Sequence, residues 1–110
     1  MHKRITFKGM DHSPVIEEYC NGQLAKVEEF IKNERSPLYV DLVLEAERTH
    51  HHHHVELRIK TPNYDLVSNY EGPDMYDVID RVIDTMYHEL LEAKRKLVDD
   101  GKKTDHYKGA

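Results

Sequence analysis

The spacing between apolar residues along this chain switches in an orderly way between two and three-to-four, and that switching constrains the fold more than any other feature. Ile5 and Phe7 alternate with Arg4, Thr6 and Lys8, the pattern of a short strand with one buried face. Ile16, Cys20, Leu24, Val27 and Ile31 then recur at helical spacing, flanked by Tyr19 and Phe30, which predicts an amphipathic helix from Pro14 to about Lys32. Ser13-Pro14 marks its start: serine can accept an N–H bond from the first turn, and proline loses nothing at the first helical position. Glu17 and Glu18 place negative charge where the helix dipole favours it. Asn33 to Pro37 ends the helix, because the residue before a proline disfavours helical geometry.

The period of two returns in the middle of the chain. Val40, Leu42 and Leu44 alternate with Asp41, Val43 and Glu45, and Val55, Leu57 and Ile59 alternate with Glu56, Arg58 and Lys60. Thr61-Pro62-Asn63-Tyr64 has turn chemistry and introduces a fourth strand over Asp65 to Tyr70, whose buried face the pattern leaves open. Asp74 caps a second helix, along which Met75, Val78/Ile79, Val82, Met86, Leu90, Ala93 and Leu97 hold one stripe. The order is βαβββα. A right-handed crossover through the first helix sets strand one parallel to strand two, and short turns make the remaining strands an antiparallel meander. Each helix has a single apolar stripe, so both can cover the same sheet face. The expected fold is α+β, a two-layer βαβββα sandwich with a four-stranded sheet and two helices packed on one face. Residues 1–98 form the single domain, and 99–110, without periodicity, read as a disordered C-terminal tail.

Composition then narrows the function. The chain has 110 residues, enough for one domain, and its 21 acidic against 16 basic residues leave a formal charge of −5. That balance excludes a generally basic coat, so any RNA contact must come from a local patch. One cysteine, Cys20, excludes an internal disulfide framework, and its place on the first helix's stripe reads as a buried structural thiol. No apolar stretch approaches the ~20 residues of a membrane span, and Met1-His2-Lys3-Arg4-Ile5 does not begin a signal peptide, so a cytoplasmic protein without membrane contact is expected. There is no phosphate-binding glycine loop, no Gly-x-Ser-x-Gly elbow and no His-Glu-x-x-His. Asp99-Asp100 suits a solvated helix end better than acid–base work. The chain reads as no enzyme, with no cofactor and no small-molecule substrate.

His50, His51, His52, His53 and His54 form an unbroken run between two strands. Neutral imidazoles are ligands for zinc, nickel or copper. No cysteine or ordered second shell accompanies them, so the run reads as a polar hairpin connection that binds metal only adventitiously, with no dedicated metal site.

Specific strings carry a resemblance. Ile5-Thr6, Lys8, Met10, Ser13-Pro14 and Ile16, then Leu24-Ala25-Lys26-Val27-Glu28, are followed by Thr61-Pro62-Asn63 before Leu66-Val67. Last comes Glu71-Gly72-x-Asp74-Met75-Tyr76-x-x-Ile79-Asp80, the most specific of them. Over roughly residues 4 to 98 the chain resembles the ribosome hibernation-promoting factors, which include the ribosome-associated translation inhibitor and members labelled sigma-factor modulation proteins. The resemblance implies the same βαβββα sheet and a non-enzymatic role: binding the small ribosomal subunit and its rRNA in the channel for mRNA and tRNA, and stopping translation under stress or in stationary phase. It also implies a short form, without the extra C-terminal dimerisation domain of the long one, and a monomer when off the ribosome.

Lys26 matches the lysine of the family string, and Lys94 and Lys96 match basic positions late in the second helix. Gln23, Glu29, Thr85, His88 and Glu92 fall where relatives often carry basic residues. Positive charge instead gathers from Lys94 onward, so Arg95, Lys102 and Lys103 are expected to join the phosphate contacts. Tyr76 and Tyr87 could stack on bases, or pack against the protein. The alternative reading is a protein-binding or metal-responsive regulatory module on the same fold, suggested by the acidic balance and the histidine run.

Overall fold

Alternation and capping carry directly into the elements. The computed structural model describes residues 1–47 and 52–109, with side chains described as far as Asp99. Strand β1 (His2–Lys8) leads into helix α1 (Pro14–Ile31), then come β2 (Tyr39–Glu47), β3 (His52–Lys60), β4 (Asp65–Gly72) and helix α2 (Met75–Gly109). The sheet order is β1-β2-β3-β4, with β1 parallel to β2 and the other pairs antiparallel. Fold class and strand directions agree with the sequence reading.

Helix α1 starts where the chemistry requires it. The Ser13 hydroxyl accepts the Ile16 N–H at 3.2 Å, satisfying one of the unpaired donors of the first turn. Cys20, Leu24, Val27 and Ile31 then lie fully buried against the sheet. Burial first, then the charge of Glu17, pushes the Cys20 thiol up to about 11, which makes it an inert hydrophobe at neutral pH.

The inward face of the sheet is built in register. Ile5, Leu42, Leu57 and Ser68 sit side by side across the four strands, as do Phe7, Leu44, Val55 and Tyr70. The face of β4 that periodicity left open is decided by a hydrogen bond. Ser68 points inward and its hydroxyl donates to the Val82 carbonyl of α2 at 2.8 Å, while Val67 faces outward at 45% exposure. A polar residue tolerates this depth only because its hydroxyl has a partner.

Two expectations are corrected. The stripe of α2 is buried at Met75, Val78, Ile79, Val82, Ile83, Met86 and Leu90 and half-buried at Ala93, but Leu97 is 44% exposed. The 35-residue helix rises about 1.5 Å per residue, whereas the longest strands have nine residues at about 3.3 Å each, so the helix outruns the sheet that could cover it. Backbone helix continues to Gly109; the tail expected from residue 99 falls almost wholly beyond the described side chains. The second correction concerns the histidines. His52, His53 and His54 belong to β3, paired with Glu47, Ala46 and Glu45, because the hairpin ladder extends past the last aliphatic residue. His50 and His51 lie outside the described residues.

Gly9 closes β1 with φ 65°, and a Cβ added there would stand 2.8 Å from the Ala46 carbonyl oxygen. Left-handed geometry costs a non-glycine residue about 1–2 kcal/mol before any clash is counted. Gly9→Ala is therefore expected to destabilise the domain by about 2 kcal/mol or more. A urea titration checks this: the midpoint falls while the slope stays at its original value.

Candidate nucleic-acid interface

Cations and aromatic rings meet along the seam between the two helices. At one end the Tyr19 hydroxyl of α1 donates to Asp80 of α2 at 2.6 Å, and the Tyr19 and Tyr76 rings meet edge-on with centroids 4.9 Å apart. In the middle Lys26 is hydrogen-bonded to Asp84 and its ammonium lies 5.6 Å from the centre of the Tyr87 ring. At the far end Phe30 meets Tyr87 edge-on at 5.9 Å, and the Lys94 ammonium lies 5.3 Å from the Phe30 ring centre. An ammonium held over a ring face is attracted to its quadrupole, so Lys26 and Lys94 are steered by the same aromatic pair.

The structure thus brings together Tyr76, Lys26 and Lys94 of the residues singled out from sequence. It does not bring Arg95 and Lys96 to the seam. Each step along a helix turns the side chain by about 100°, so Arg95 and Lys96 leave the line of Lys94. Arg95 is hydrogen-bonded to Glu92, which lowers the Glu92 carboxyl below its usual range. The side chains of Lys102 and Lys103 lie outside the described residues. Other exposed cations of the helices are also paired, Arg81 with Asp77 at 2.9 Å and Lys32 with Glu29.

A second cluster lies on the opposite side of the molecule, on the sheet face that no helix covers. One row across the strands there is His2, Tyr39, Lys60 and Asp65, and the next is Arg4, Asp41, Arg58 and Val67. These rows form a cleft lined by His2, Arg4, Tyr39, Asp41, Arg58 and Lys60. His2 and Tyr39 stack at 4.9 Å with their planes 17° apart, and Arg58 donates to both Asp65 carboxylate oxygens at 3.0 Å. That fork holds the Asp65 carboxyl below its usual range, because the guanidinium stabilises its charged form. Sequence reasoning missed this group. Its signal is the outward phase of the strands: basic and aromatic residues occupy the first positions of β1 and β2 and the end of β3, and only the register shows that these are one place.

Among the described residues no group of three His, Cys, Asp or Glu side chains is placed to hold a metal ion, and no helix is long and apolar enough to cross a membrane.

A two-layer α+β sandwich with a mixed four-stranded sheet and both helices on one face is shared with two solved structures. A ribosomal subunit interface protein from Coxiella burnetii superimposes with a TM-score of 0.69 at 19% identity, covering 86% of this chain and 99% of that one. The N-terminal domain of Protein Y from Thermus thermophilus gives a TM-score of 0.66 at 20% identity, covering 86% and 98%. At such identities the likeness shows the fold. The family model described as sigma 54 modulation protein / S30EA ribosomal protein matches residues 4–98, and the chain belongs to that family. Curated proteins offer no match.

The Tyr19–Asp80 bond generates a test of the seam. It is the main cause, ahead of burial, of a rise in the Tyr19 phenol from 10.0 to about 12. The fold thus favours the neutral phenol: the contribution is complete below the unfolded value and is lost as pH climbs through the folded one. Tyr19→Phe is expected to cost about 1–2 kcal/mol at neutral pH. Urea titrations of both proteins between pH 9 and about 12 should show the wild type losing more stability than the variant over that range.

Proposed function

We propose that this protein is a ribosome hibernation factor that occupies the mRNA and tRNA channel of the small ribosomal subunit and stops translation when growth slows. The observation that carries the reading is the family match over residues 4–98, nearly the whole folded domain. The mechanism is steric competition, with no bond made or broken: a rigid domain held against ribosomal RNA excludes the ligands that translation needs. The protein works in the cytoplasm and is monomeric when off the ribosome.

The helix face supplies groups suited to folded RNA, which presents phosphates and 2′-hydroxyls to a protein surface. Lys26 and Lys94 along the seam take phosphates, with Tyr76 available to stack at its end, exposed at 41%. Arg95 and Lys96, farther along α2, are further phosphate contacts of this reading, and Lys102 and Lys103 follow them in the sequence. Lys26 engages RNA by exchanging Asp84 for phosphate. An exposed ion pair is worth only about 0–1 kcal/mol, so the exchange costs little.

Sedimentation with ribosomes through a sucrose gradient tests the proposal. The protein should travel with the small subunit at ~50 mM salt and be released steeply towards ~200 mM, as binding through phosphates requires. Lys26→Glu and Lys94→Glu/Lys96→Glu should abolish co-sedimentation, and absence of association at low salt defeats the reading. Asp84→Asn frees Lys26 without adding charge to the lysine itself, and is expected to tighten binding by roughly threefold to fivefold, about the worth of one exposed ion pair.

A further inference from the structure

We infer that the end of the open sheet face formed by His2, Arg4, Tyr39, Arg58 and Lys60 is a second RNA-binding surface, which takes a single-stranded segment with a base on the Tyr39 ring and phosphates on Arg4 and Lys60. It shares with the proposed function only the class of partner, and lies on the other side of the sheet from the helix seam.

The first support is which cations are spoken for. On the helix face Lys26, Arg81 and Arg95 each engage a carboxylate, and Lys94 lies over the Phe30 ring. In the cleft Arg4 is 76% exposed and only loosely ion-paired, its Nε 3.7 Å from Asp41 and beyond hydrogen-bond reach, while Lys60 has no ion-pair partner among the described residues. Arg58 is the exception, and its pairing is positional: the fork to Asp65 fixes the guanidinium plane beside the cleft and leaves Nη1 without a partner among the described residues.

The second support is the platform. Tyr39 is 43% exposed at the first position of β2, and the His2 ring stacked on one of its faces fixes its plane, so that an incoming base extends the His2–Tyr39 stack. A ring exposed on an uncovered sheet and bordered by cations is the arrangement on which unpaired bases stack, since every base presents a π-face and every linkage a phosphate. A duplex has no free base to offer such a ring.

The third support sets direction. The far end of the same face carries Glu45, Glu47, Glu56 and Glu71 around His52 and His54, with Lys8 at the edge. A polyanion running along the strands would meet those carboxylates. The segment therefore crosses the strands at the cationic end, from β1 over β2 to β3, which limits the site to a few nucleotides.

The test is fluorescence anisotropy of a short labelled oligouridylate with the full chain at ~50 mM and ~200 mM salt. Arg4→Glu/Lys60→Glu should weaken binding at least tenfold and flatten the salt dependence, the slope falling by about one for each phosphate no longer neutralised. Tyr39→Ala should weaken it roughly tenfold while Tyr39→Phe keeps it, because stacking needs the ring and not the hydroxyl. Lys32→Glu, on the helix side and outside the proposed phosphate contacts, should leave it within twofold. Circular dichroism and urea midpoints confirm that each variant is folded. No binding at low salt, unchanged binding in the cleft variants, or loss in the Lys32 variant would each overturn the inference. Ribosome sedimentation is read separately. A chain that sediments with ribosomes yet ignores the oligonucleotide refutes the cleft and keeps the hibernation reading, and the reverse pattern refutes that reading and keeps the cleft.

Discussion

Val78, Ile79, Val82, Ile83, Met86 and Leu90 of α2, laid over Val55, Leu57 and Ile59 of β3, form the apolar layer on which the rest of the molecule depends. At roughly 25 cal/mol per Å² of apolar surface removed from water, a set of aliphatic side chains of this size outweighs any polar interaction in the fold. It also fixes the strands' phase. A slip of one residue in β3 would turn Val55, Leu57 and Ile59 to solvent and bring Glu56, Arg58 and Lys60 beneath the helix. The hydroxyl of Ser68, bonded to the Val82 carbonyl, locks β4 to the same helix in the same phase.

Because both helices settle on one side, every outward residue of the sheet is left to water. That is how one end of the bare face comes to gather Arg4, Arg58 and Lys60 around Tyr39 while the other gathers glutamates. Carboxylates accompany the cations on both sides, Arg58 being forked to Asp65 on the sheet, and the helix side shows the same pairing. There Lys26, Arg81 and Arg95 each meet a carboxylate within the protein, through i,i+3 or i,i+4 neighbours on α2 or across the seam as with Lys26 and Asp84. A protein of formal charge −5 can hold a polyanion only where positive charge is concentrated or where its internal partners are weakly held.

Much of this was legible in advance. The start of α1 at Ser13-Pro14, the aliphatic phase of β2 and β3, the Asp74 cap and the βαβββα order follow from local chemistry, and the structure agrees with each. The inward face of β4 was not legible, because Leu66 and Val67 put an apolar residue in each phase and the buried position next in line is a serine. Nor was the end of α2's stripe: Leu97 keeps the helical spacing, but the sheet beneath it has run out. His52 to His54 look like a loop by composition and are strand by pairing.

The same division holds for the surfaces. By itself the sequence determined which residues alternate and where helices begin, since periodicity and capping act over a few residues. Tertiary structure alone decided that Asp84 stands against Lys26, 58 positions earlier in the chain, and that residues from β1, β2 and β3 meet in one cleft. The reason is physical: strand register and helix docking are set by the shared apolar layer, and they bring together polar groups whose separation along the chain carries no trace of their meeting.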